Sequence, residues 1–99
     1  MNALQEFEES LTQQHPPKNA TVYLQSLWYD AKGDWNKAHS LVDHLSDKTA
    51  CRIHAYLHRV EGDKWNASYW YTKAGERMPD ISLKEEWQLL VQRLMESAK

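Results

Sequence analysis

The feature that most restricts this chain's fold is an internal echo. Gly33-Asp34 returns as Gly62-Asp63, twenty-nine residues on, and Ala38 returns as Ala67 at the same offset. The apolar residues before each glycine obey the shift too. Leu24, Leu27, Trp28 and Ala31 reappear as Ile53, Tyr56, Leu57 and Val60. Each set falls at i, i+3, i+4 and i+7, the stripe of a helix packed on a core. A glycine just past such a stripe ends the helix by taking a left-handed backbone conformation at low steric cost. The aspartate after it accepts hydrogen bonds from the free amides that start the next helix. Two copies of a helical hairpin are therefore predicted, residues 19–46 and residues 47–75. Neither hairpin can bury its own apolar face, so the two should stack.

The rest of the chain fits around this pair. Leu4, Phe7 and Leu11 mark a short helix within residues 2–14, stopped by His15-Pro16-Pro17, since proline cannot continue a helix and disfavours it one residue earlier. Asn19 or Thr21 can cap the second helix, which runs to about Lys32. A third spans Trp35 to Ser46, with Ala38, Leu41, Val42 and Leu45 inward. Asp47 caps the fourth, and Asp63 the fifth, Lys64 to Ala74, closed by Gly75. After a loop at 76–81, Ser82-Leu83-Lys84-Glu85 reads as a capping box. It opens a last helix over 82–98 with Leu83, Trp87, Leu90, Val91 and Leu94 on one face. No alternating Val/Ile-rich run or Asn-Gly hairpin signal competes. The expectation is one all-α domain, residues 1–99, of about six helices, with the first and last capping the two open ends.

Gly33-Asp34-Trp35-Asn36-Lys37-Ala38 resembles the turn of tetratricopeptide repeats, a glycine, an aspartate and an aromatic followed by an alanine. Gly62-Asp63 with Ala67, Tyr71, Ala74 and Pro79 is similar, and Ser26 and Ala55 match that family's small position on its first helix. The resemblance covers residues 19–80 and implies a non-catalytic module that binds protein or peptide. The chain departs from the family in its 29-residue period, against about 34. It also departs in carrying Cys51, His54 and His58 where large apolar residues are usual. The longer strings LWYDAKGDWNKAH and IHAYLHRVEGDKWNASYWYTKAG also resemble a group of small bacterial proteins without an assigned function.

Composition narrows the function classes. Ninety-nine residues can bury one core and no second domain. A net charge of −2, with both signs interspersed, gives no basic footprint for nucleic acid and no polybasic membrane patch. No apolar run approaches the ~18 residues of a membrane helix, and the acidic start, MNALQEFEES, lacks the apolar core of a secretory signal. One cysteine cannot form an internal disulfide. Together these point to the cytoplasm.

The central helix, from Lys48 to Gly62, carries the residues closest to chemistry. His54 and His58, at i and i+4, project from one face as in zinc-binding helices, and Cys51 offers a third ligand. Ala55 stands where a zinc protease would place its glutamate. The alternative is packing, with the histidines in the seam between hairpins donating to a carbonyl, Asp30 or Asp34. His39 and His44 lie about 140° apart on the third helix, so only one can face that seam. Cys51 beside Arg52 also raises a nucleophile, with His54 as base, but no oxyanion hole is evident. Arg52 and Arg59 are expected to face water, Arg59 pairing with Asp30. Of Tyr69-Trp70-Tyr71, Tyr71 takes the packing position. Tyr69 or Trp70 must then reach a second interface or the surface, the fifth helix packing under Trp87 of the last.

Two functions follow. The first is a non-catalytic interaction module without cofactor, its groove lined from the second and fourth helices by Tyr23, Tyr29, Arg52 and Arg59. Its partner is a protein, a peptide or a second copy of the chain. The second is a metal or small-molecule site, hydrolytic in one version, built from Cys51, His54, His58 and His39 with nearby aspartates. Across both, the candidate binding residues are His54, His58, His39, Asp30, Arg59 and Trp70.

Overall fold

The computed structural model describes residues 2–97, all-α and without strands among them. Six helices follow in order: α1 (Ala3–Glu9), α2 (Val22–Ala31), α3 (Trp35–Val42), α4 (Lys48–Val60), α5 (Lys64–Ala74) and α6 (Leu83–Ser97). The expected end of the last helix at residue 98 lies outside the described residues. A 3-10 turn, Ser10–Thr12, follows α1 in place of a continued helix. α3 stops at Val42, four residues short of the expected Ser46. Leu45 still packs against the core from the loop.

The two turns repeat in backbone detail. Lys32 and Glu61 share φ −79° and ψ −2°, and Gly33 and Gly62 follow at φ 87° and 86°. A Cβ would meet nothing within 4 Å at either glycine, so it is the left-handed backbone, not space, that calls for glycine. Asp34 then accepts from the Lys37 amide, and Asp63 from the Asn66 amide. Thr21, not Asn19, caps α2. Ser82 and Glu85 exchange the two hydrogen bonds of a capping box.

Consecutive helices pack as pairs, α2 on α3 and α4 on α5, and α4 also lies against α2 and α3. Buried Ala55 and Ala67 let α4 and α5 approach closely. The Ser26 hydroxyl donates to the Ala38 carbonyl and ties α2 to α3. The terminal helices act as covers, but together rather than one at each end. α6 lies across α2 and α4, and α1 lies on α6. Trp87 therefore packs on Phe7 and donates to the Leu27 carbonyl, instead of roofing α5.

Candidate functional site

α4 runs through the middle with different polar chemistry on its two sides. Arg52 and Arg59 point one way; His54 and His58, about 200–240° round the helix from Arg52, point the other.

On the arginine side, the expectation of solvent fails. Arg52 is 4% exposed and Glu86 is fully buried. Glu86 accepts from Arg52 Nη1 at 2.6 Å, Arg59 Nη1 at 2.5 Å and the Tyr71 hydroxyl at 2.5 Å. Arg52 Nε donates to Glu76, which Arg93 also engages. Arg59 donates to the Ile81 carbonyl as well, not to Asp30. Asp30 instead accepts from Tyr56, and burial raises its carboxyl above the usual range. A cleft of about 340 Å³ beside this network is lined by Lys48, Thr49, Arg52, Glu76 and Arg93. Its two arginines are already held by Glu76 and Glu86. The face of α2 and α4 expected to form a groove is thus filled by α6, and Tyr23 is turned to the Asp47 carboxylate.

On the other side, three histidines meet. Asp34 sets the start of α3, which places His39 one turn after Trp35. The two rings stack at 4.7 Å, and Trp35 Nε1 donates to the Leu57 carbonyl, fixing α3 against α4. His39 Nε2 lies 3.0 Å from His54 Nε2. His54 and His58 stack at 4.8 Å, and Trp70 of α5 covers His54 at 4.0 Å. Each of His39, His54 and His58 offers a ring nitrogen within 4.8 Å of the other two. Two of the three are backed by carboxylates. Glu61 lies 2.6 Å from His58 Nδ1, and Asp43 lies 3.6 Å from His39 Nδ1. A proton on each Nδ1 leaves an Nε2 lone pair on His58 and one on His39, the latter facing His54 Nε2.

His54 has no such support. It is 4% exposed, and its Nδ1 is the one buried side-chain nitrogen or oxygen without a partner among the described residues. Neither tautomer mends this: Nδ1 is left as an unmet donor or an unmet acceptor. Burial, then the neighbouring His39 and His58, pull its pKa down to about 4. Burial also lowers His39, with Asp43 opposing. Both imidazoles are therefore neutral near pH 7, the form that binds metals.

Of the expected site residues, His39, His54, His58 and Trp70 come together. Cys51 does not join them. It is buried with Sγ toward the Ser46 carbonyl, because it precedes His54 by nearly one turn and leans toward the start of α4. No acceptor from Asp30 or Asp34 reaches the histidines; they are held by one another, Asp43 and Glu61. The site also includes Trp35 and Asp43, not anticipated in that role, and Glu61, which lies on the same stripe of α4 as the histidines. His39 and Asp43 at i, i+4, and His58 and Glu61 at i, i+3, were the available signals. No known protein family, curated protein or solved structure matches the chain.

Proposed function

We propose that this chain is a small metal-binding protein whose site is His39, His54 and His58. Three imidazoles from two helices, two with a carboxylate near Nδ1, form a donor set suited to zinc, copper or nickel. Carboxylates in that position fix the tautomer and raise ligand basicity. The observation that carries the reading is the convergence of the three rings: His39, His54 and His58 each offer a ring nitrogen within 4.8 Å of the other two, and a metal between them gives the three a common acceptor of lone pairs. Tetrahedral zinc at ~2.0–2.1 Å from nitrogen sets ligand nitrogens about 3.3 Å apart, close to the 3.0 Å between His39 and His54. Three protein ligands leave a coordination position open, as in sites that hold water or substrate.

Native mass spectrometry with added zinc tests this. One equivalent should be retained, lost on His39→Ala or His58→Ala, and kept on Cys51→Ser. No retained zinc, or zinc indifferent to the histidine changes, would sink the reading.

A second reading keeps the interaction module but moves its surface. With α6 over the α2–α4 face, the aromatic surface left open is the outer side of α5, where Trp65 is 77% and Tyr69 47% exposed. Such aromatics are usual anchors for a protein partner.

A further inference from the structure

Trp65, Tyr69 and Lys73 stand at i, i+4 and i+8 on α5, each step turning about 40° round the helix, so they form a slanted ridge over its outer face. The Trp65 and Tyr69 rings are stacked, 6.4 Å between centroids and 10° between planes. The Lys73 ammonium lies 5.3 Å from the Tyr69 centroid and 5.1 Å from that of Trp70. No ion pair holds Lys73 among the described residues. The stripe therefore presents aromatic, aromatic, cation, in that order, with equal spacing about Tyr69.

That order is self-complementary in one orientation only. Turn a second α5 antiparallel about an axis through Tyr69, and Lys73 of each copy meets the Trp65 face of the other. Two equal cation–π contacts form, with Tyr69 against Tyr69 between them. A parallel pairing would set Lys73 against Lys73, where like charges repel. The antiparallel arrangement is a closed two-fold interface, the kind that ends in a dimer instead of a filament.

We propose that the outer face of α5 is a homodimer interface, its occupant a second copy of this chain paired antiparallel through Trp65, Tyr69 and Lys73. This rests on the protein-binding reading and is independent of the metal site. An eleven-residue helix is roughly 16 Å long and buries less than the ~800 Å² per partner of a standard interface. The dimer is accordingly reversible.

Sedimentation equilibrium in chelator, from about 10 µM to about 1 mM protein, tests it. A monomer–dimer equilibrium is expected in the parent chain and unchanged in His58→Ala, so failure of the metal reading does not touch this result. Lys73→Gln removes a contact twice in the symmetric dimer and should weaken it about five- to thirtyfold. Trp65→Ala should weaken it further. Both residues project from the outer face of α5, and unchanged circular dichroism confirms that the variants fold. An intermolecular NOE from the Trp65 ring to the Lys73 side chain, in mixed labelled and unlabelled protein, is the positive signature. A monomer throughout would overturn the proposal and turn attention to an acidic segment of another protein. So would a dimer indifferent to both substitutions.

Discussion

Arg52 and His54 sit two residues apart on α4, both 4% exposed, and their surroundings are opposites. The arginine side is complete. The buried carboxylate of Glu86 takes three donors, and Arg52 is shared between two glutamates under the Tyr71 ring. The histidine side is not. Its three rings lean on one another, and His54 Nδ1 is left with nothing. A buried polar network that is fully met holds a fold together; one left a partner short costs stability and is there for another reason. The first network fastens α6 to α4 and α5. The second does no comparable fastening, since Trp35, Ala55 and Ala67 already set the helices around it.

The largest effect should come from breaking the complete side. Glu86→Ala leaves the buried Arg52 and the half-buried Arg59 without their shared carboxylate, and should cost about 3–5 kcal/mol, read by urea unfolding. That is a large part of the roughly 5–15 kcal/mol available to a domain. A loss below about 1 kcal/mol would mean the pair behaves as a surface ion pair and that the comparison is wrong.

Acid separates the two sides by pH. In metal-free protein the folded-state pKa of His54, about 4, lies below its ordinary 6.5. The unfolded chain binds the extra proton first, so stability should fall as pH drops from about 6.5 toward 4. Glu76 is held below its ordinary 4.5, chiefly by Arg93 and then by Arg52. Its contribution is present above that value and lost as pH falls through the lower folded value. His39, also lowered by burial, contributes to the same decline, so urea midpoints across pH should show a first decline that shrinks in His54→Phe, and a second that remains. A single transition unaffected by His54→Phe would contradict this.

The smallest effect is the most pointed. His54→Phe, without metal, removes a buried nitrogen that has no partner while keeping a ring beneath Trp70. It also removes the contact between His54 Nε2 and His39 Nε2, and with the two changes opposing, stability should change by about 1 kcal/mol or less in either direction. A loss of several would show His54 to be as structural as Arg52.

How much of this was legible in the sequence follows from what repeats. The hairpins were readable because Gly33-Asp34 and Gly62-Asp63 act locally, through a left-handed glycine and a capping aspartate. The stop of α3 at Val42 was harder, since Leu41 and Leu45 continue the apolar spacing into a loop. Where α6 lies was not legible at all. Its apolar face fits any open surface, and only Glu86, one residue before Trp87, selects the side bearing two arginines. That one placement turns Arg52 from exposed to buried and Arg59 from exposed to half-buried, and fills the expected groove. On the histidine side, the i, i+4 pair was plain. The third member depended on how α3 crosses α4, which brings in His39 and leaves Cys51 apart.

The most direct test is a long-range ¹H–¹⁵N spectrum of the imidazole rings, recorded before and after one equivalent of zinc. Without metal, His39 and His58 should carry their protons on Nδ1, facing Asp43 and Glu61. With zinc, the Nε2 resonances of His39, His54 and His58 should all move to metal-bound positions, while His15 and His44 stay fixed. If zinc leaves the three rings unchanged, or shifts only the exposed His15 and His44, the cluster is packing and the account of its unfinished side fails.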